Sequence, residues 1–182
     1  MKNKLIFTLI AATLLTPASA LWAKSSVKLG YDMGGSHKVT VSGISGALNV
    51  NTALNVTYEE TSVLNENWLA GMGVEYQAPR AQTGVAGNFS FVPVYGFVQT
   101  DLGAANVALK AGYNLFNGDV NYTGVGTILN GGIFYGVSLG VPIADFGSLE
   151  ISQCINNGSG DAGSIHFDIQ YTHTTAYVGI NI

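Results

Sequence analysis

Residues 48–59 alternate with a period of two, and the alternation separates two kinds of chemistry. Leu48, Val50, Thr52, Leu54, Val56 and Tyr58 share one parity, while Asn49, Asn51, Ala53, Asn55, Thr57 and Glu59 share the other. Positions i and i+2 of an extended strand lie on one face, so this segment predicts a strand between unlike surroundings. The pattern recurs along the chain. Val27, Leu29, Tyr31 and Met33 alternate with Lys28, Gly30, Asp32 and Gly34, and the same parity continues through Val39 and Val41. Trp68, Ala70, Met72, Val74 and Tyr76 form a third run, and Phe89, Phe91, Tyr95 and Phe97 a fourth. Val107 to Leu115, Ile133 to Val141 and Leu149 to Ile155 follow, and a last strand covers 164–182.

Charge decides what the two faces meet. Lys28, Asp32, Lys38, Glu59, Glu75, Lys110, Glu150 and Asp168 all sit on the polar parity, and the apolar parity carries none. The polar parity is otherwise Gly, Ser, Ala and Asn, a thin coat for a surface in water. Only 10% of the chain is charged, against ~25% in soluble domains. Turning the apolar face to lipid resolves the conflict, because a membrane barrel is apolar outside and polar inside. An open sheet would leave unpaired backbone groups in hydrocarbon, so the sheet must close. The sequence therefore predicts an all-β chain, a transmembrane antiparallel up-and-down β-barrel of eight strands. A ten-strand count, splitting at Gly34-Gly35 and near His173, is the alternative.

Local features refine this expectation. Ile165, Phe167, Ile169 and Tyr171 are odd whereas Val178, Ile180 and Ile182 are even, which predicts a β-bulge near Thr172–Thr175. Pro93 lacks a ladder donor and is expected at a bulge of the fourth strand. Short links at 61–66, 100–105 and 142–147 alternate with longer polar ones at 78–88, 117–130 and 156–163, as two unlike rims require. The 43–46 connection is short for its rim if both termini are periplasmic. Tyr58, Trp68 and Phe97 are expected in one interfacial girdle, and Tyr76, Phe89 and Tyr113 in the other.

The start of the chain predicts export. Lys2 and Lys4, the apolar run Leu5 to Leu15 and Ala18-Ser19-Ala20 have the layout of a secretory signal peptide. Cleavage after Ala20 leaves residues 21–182 as one barrel domain. The net charge of −4 argues against a nucleic-acid partner. Cys154 is the single Cys, so no intramolecular disulfide can form.

The leader, the alternating strands and the ending Tyr177-Val178-Gly179-Ile180-Asn181-Ile182 resemble the small outer-membrane β-barrel protein family, of the OmpA/OmpX type. Gly112 to Asp119 followed by Gly131 to Gly136 is similar to segments of such barrels. The resemblance implies an outer-membrane location in a Gram-negative cell envelope, with outer-membrane lipid as the surrounding partner. It also implies handling by periplasmic chaperones and barrel-assembly machinery during biogenesis. Family members commonly end on an aromatic residue, and Ile182 departs from this.

Candidate constellations are sparse. Gly136-Val137-Ser138-Leu139-Gly140 matches the G-x-S-x-G pattern, but that chemistry needs a strand-to-helix turn and this Ser is mid-strand. Ser164, His166 and Asp168 near one rim could suggest a lipid-modifying enzyme; lumen filling is the simpler reading. His37 and His173 are the other histidines, and no metal-ligand spacing is present. Asn156 to Gly163 lacks the acids of a Ca²⁺ loop and reads as a mobile surface loop. The coherent group is an inward charge network of Lys28, Asp32, Glu75, Lys110, Glu150 and Asp168, with Cys154 an inert neighbour. Opposite charges in a narrow lumen must pair.

The sequence thus predicts no catalytic, cofactor or metal site. It predicts an integral outer-membrane barrel that is not an enzyme, with a structural or surface-interaction role through three longer outer loops. A small porin-like channel or apolar-ligand carrier is the alternative, and a soluble periplasmic ligand-binding barrel is the third. No surface partner can be named from the residues.

Overall fold

A computed structural model of the chain describes residues 24–119, 127–143 and 146–182. The leader and its cleavage point fall outside them, as do residues 120–126 of the expected 117–130 link. The strands are β1 (Lys24–Val41), β2 (Ile44–Val50), β3 (Ala53–Asn65), β4 (Trp68–Gln77) and β5 (Arg80–Gln82). They continue as β6 (Val85–Asp101), β7 (Asn106–Gly118), β8 (Thr127–Ile143), β9 (Gly147–Ala162) and β10 (Ile165–Asn181). All pairings are antiparallel, and β10 returns to pair with β1 from Ser26↔Asn181 to Val41↔Phe167. Eight strands close the ring, with β2 and β5 as short additions at one end. Both termini of the described barrel lie at the opposite end, here the terminal end; the end bearing the β1–β2, β5–β6 and β9–β10 turns is the hairpin end.

The fold class agrees with the sequence pattern, and the exterior shows why. Leu29, Tyr31, Leu54, Val56, Met72, Tyr76, Leu109, Tyr113, Val137, Leu139, Leu149, Ile151 and Val178 face outward and are exposed. Strands of 17 residues such as β10 rise roughly 40 Å at ~45° tilt, well beyond an apolar band of ~25 Å. The surplus lies at the hairpin end, and there the polarity inverts. Phe89, Phe91, Phe116, Phe167, Ile169 and Tyr171 are buried inside, with Val39 and Val41 packed against them. Lys38 and Asp168 face out. This half has the pattern of a soluble barrel, with its apolar residues inside and charged ones outside.

Several expectations are corrected by the structure. Phe89, Phe91, Tyr95 and Phe97 do share a face, but it is the lumen face, so Phe97 and Phe89 belong to no girdle. Tyr31, Tyr76 and Tyr113 form the exposed aromatic set nearer the hairpin end. The expected bulge in β10 is absent: its odd residues from Phe167 to Gly179 point inward throughout. The extra residue sits on β1 instead, where Met33 and Gly34 oppose the single Thr174. Gly34 takes a φ of +83°, which a side chain would resist. The inserted residue flips the parity of β1, sending Lys38 outward and His37 inward. A second bulge at Gly132–Ile133 does the same for β8.

The segment 48–59 is likewise two strands. β2 pairs with the hairpin-end half of β1, from Gly35↔Val50 to Val41↔Ile44, whereas β3 pairs with the terminal half. The break at Asn51-Thr52 puts Val50 inside and Leu54 outside. Pro93 needs no bulge. The N–H of Asp101 points toward Asn67 at the foot of β4, so by strict alternation the Pro93 nitrogen faces the same side. There it meets the gap between Val74↔Val94 and Arg80↔Phe89, where β4 hands over to β5. The 156–163 stretch is strand, not loop, and reaches β10 through the two-residue turn Gly163-Ser164. The 78–88 link is mostly the β5–β6 hairpin.

Closure gives a direct expectation. Deleting Val178 to Ile182 removes the partners of Ser26 to Leu29 on β1 and opens two edges in lipid. The truncated chain should fail to assemble, with loss of the heat-modifiable band on gels. Normal membrane levels of a heat-modifiable product would place the closure elsewhere.

Candidate functional site

The lumen is filled in layers from the terminal end inward. A vestibule of about 420 Å³ opens at that end, lined by Lys24, Ser26, Thr61, Gln99, Asn106 and Asn181. Its floor is a closed square of charges from β1, β3, β7 and β9. Lys28 Nζ lies 2.6 Å from Glu59 Oε2 and 2.5 Å from Glu150 Oε2. Lys110 Nζ lies 3.1 Å from Glu59 Oε1 and 2.8 Å from Glu150 Oε1. The Tyr95 hydroxyl donates to Glu59 at 2.7 Å and Ser152 to Glu150 at 2.9 Å. Lys110 also stands over the Tyr95 ring at 5.4 Å. Each ammonium thus meets two carboxylates, the arrangement that offsets desolvation in a narrow interior.

Glu75 forms the next layer and has a different environment. Its carboxylate accepts from Gln77 at 2.9 Å, Tyr177 at 2.7 Å, and Asn55 and Thr57 at 3.3 Å each. Four neutral donors satisfy both oxygens. Above it, Asp32 is gripped by the guanidinium of Arg80. The Tyr171 hydroxyl donates to Asp32 at 3.1 Å, and His173 Nδ1 lies 3.0 Å from the same oxygen. Arg80 also donates to Asn55 Oδ1 at 2.9 Å and stacks over Tyr171 at 5.3 Å. The His173 ring lies parallel to Tyr171 at 4.7 Å. The aromatic cluster then caps the hairpin end, with Phe91 and Phe116 stacked at 4.6 Å.

Of the sequence-predicted set, Lys28, Lys110 and Glu150 meet in the square, Asp32 joins Arg80, and Glu75 lies between the two layers. Asp168 does not belong: its side chain is 73% exposed and lies 3.6 Å from His166 on the outer face. The reason is the inward aromatic face of β10, which leaves the even positions outside. Glu59 and Arg80 were missing from that set. Glu59 stood on the correct parity. Arg80 lay in a segment read as a connection, and its signal was that it is the only Arg in the sequence.

Inward glycines do not leave the lumen open. A Cβ on Gly30 would sit 2.5 Å from the Tyr177 ring, and one on Gly73 would sit 2.6 Å from the Tyr95 ring. Large rings lie flat over these strands and occupy the space. Cys154 is buried beside Gly136. Ser138 is buried mid-strand, without the turn that a nucleophile elbow needs.

Among solved structures, the chain is similar to the outer membrane protein OprG from Pseudomonas aeruginosa, with a TM-score of 0.51 and 10% identity. That match covers 89% of this chain and 97% of OprG. It is also similar to Neisserial surface protein A, with a TM-score of 0.50 and 12% identity over 86% of this chain and 96% of that one. At these identities the likeness establishes the fold, that of the small eight-stranded outer-membrane barrels. No known family profile and no curated protein matches the sequence.

Proposed function

We propose that this chain is an integral protein of the bacterial outer membrane, exported by a leader removed after Ala20, with its hairpin end at the cell exterior. Its role is structural or interactive and not enzymatic, and the barrel works closed. The observation that carries the reading is the stack of side chains across the lumen: the Lys28–Glu59–Lys110–Glu150 square, the Glu75 layer, and the Arg80–Asp32 layer beneath packed aromatic rings. Eight strands enclose an interior just wide enough for side chains to fill. Biogenesis through periplasmic chaperones and the barrel-assembly machinery follows from the same location. Two of the three expected longer links, 78–88 and 156–163, are extended strand and tight hairpin, so a surface partner there would meet sheet.

Purified protein in a planar bilayer should give no large, stable single-channel steps. The rival reading, a narrow ion path, draws on the vestibule that leads to Lys28 and Glu150. Steady conductance whose ion selectivity reverses with Lys110→Glu would overturn the closed-barrel proposal and make the chain a channel.

A further inference from the structure

We propose that the vestibule at the terminal end is a binding site for a small neutral saccharide, taken free or at the end of a glycan chain. The site rests on the closed-barrel reading for its floor and goes beyond it by giving the barrel a ligand. Its volume of about 420 Å³ falls within the range of roughly 300–1,000 Å³ typical of small-ligand pockets. Ser26 of β1, Thr61 of β3, Gln99 of β6, Asn106 of β7 and Ser148 of β9 line it from around the ring. Each is half-buried, and none of these five side chains hydrogen-bonds to another described residue. The layers below differ, because Glu59, Glu150, Glu75 and Asp32 all have partners among the lumen side chains. Five polar side chains thus converge on one cavity with a hydrogen-bonding capacity that the lumen network does not use.

The groups in the lining select the ligand. Ser and Thr hydroxyls and Asn and Gln amides both donate and accept, as the hydroxyls of a sugar do. A dianionic phosphate only accepts and an ammonium only donates, so either would match half of this lining. Charge adds no pull at the floor, where two ammonium and two carboxylate groups already pair with each other. Lys24 stands exposed at the mouth. Val63, Leu69 and Pro142 complete the lining with apolar surface that suits the C–H face of a sugar ring. Two inward glycines leave the centre of the cup to a ligand. A Cβ on Gly140 would sit 2.5 Å from Asn106 Oδ1, and one on Gly179 would sit 2.9 Å from Ser148 Oγ. Asn106 and Ser148 therefore rest against the wall. The charge square closes the cup below them, so a bound sugar is held and does not pass.

The full barrel in lipid nanodiscs, free of alkyl-glycoside detergent, can be titrated with glucose, maltose and maltotetraose. In nuclear magnetic resonance spectra the side-chain amide signals of Gln99 and Asn106 should shift and saturate. Those of Asn55 and Gln77, beyond the floor, should stay in place. Shifts with glucose mark a free sugar as the ligand, and shifts confined to maltotetraose mark the end of a glycan chain. The double variant Gln99→Leu with Asn106→Leu keeps the charge square, so the heat-modifiable barrel should persist. Its saccharide affinity, read from the backbone amides of Thr61 and Ser148, should fall about ten-fold or more. The near-isosteric Thr61→Val should weaken binding in the same direction with less disturbance of the wall. Three results would each overturn the proposal: no saturable shift with any saccharide, unchanged affinity in both variants, or tighter binding of glucose phosphate than of glucose. Conductance is read separately, so a silent barrel that ignores saccharides sinks the site and leaves the closed barrel standing. Steady conductance would overturn the closed floor and the site with it.

Discussion

Arg80→Met should lower the stability of the folded barrel by about 3–5 kcal/mol, the usual cost of removing one partner from a buried ion pair. Arg80 and Asp32 are both fully enclosed, and the guanidinium also serves Asn55 and Tyr171. Its loss leaves Asp32 with the Gly34 N–H, the Tyr171 hydroxyl and His173 as its remaining contacts. The double variant Arg80→Met with Asp32→Asn should recover most of the loss, because the charges then disappear together. Urea unfolding in detergent micelles measures both. If the single variant unfolds like wild type, the Arg80 layer does not hold the hairpin end together.

The second large effect separates the two faces of one strand. Val137 faces outward in the apolar band, and Ser138 is buried in the lumen. Val137→Arg should cost roughly 2–4 kcal/mol, while Ser138→Asn should cost well below that. The opposite order of folded stabilities would mean that the lipid and lumen faces are exchanged.

Near the terminal end the alternation is legible because its apolar and polar parities meet unlike surroundings. Leu29, Tyr31, Leu109, Val137 and Val178 are apolar and meet the exterior, and Lys28, Lys110 and Glu150 alternate with apolar neighbours on the lumen side. At the hairpin end the same alternation has the opposite meaning. Phe167, Ile169 and Tyr171 are apolar because they fill a core, and Asp168 is polar because it meets water. Period two alone carries no sign, so β10 looked as though its parity slipped when only its surroundings changed. The true slip, at Gly34, left no contrast to detect, since Val39 and Val41 kept the parity of Leu29 and Tyr31. In β6 both parities are apolar, with Val92, Val94 and Val98 on one and the aromatic residues on the other. The choice of face there depends on ring packing over Gly71 and Gly73, two strand neighbours that only the register reveals. Arg80 was hidden for a related reason. A three-residue strand between Pro79 and a turn has no periodicity to read, and its partner Asp32 lies 48 positions away.

The barrel spans the membrane, and its polarity inverts at the hairpin end. Spin labels placed singly at Val137, Leu109, Lys38 and Asp168, in a Cys154→Ser background and in lipid bilayers, test it most directly. Labels at Val137 and Leu109 should collide with dissolved oxygen far more than with a water-soluble nickel chelate, and labels at Lys38 and Asp168 should show the reverse. Nickel access at all four positions would contradict the membrane-spanning barrel, and oxygen-dominated access at Lys38 and Asp168 would contradict the inversion.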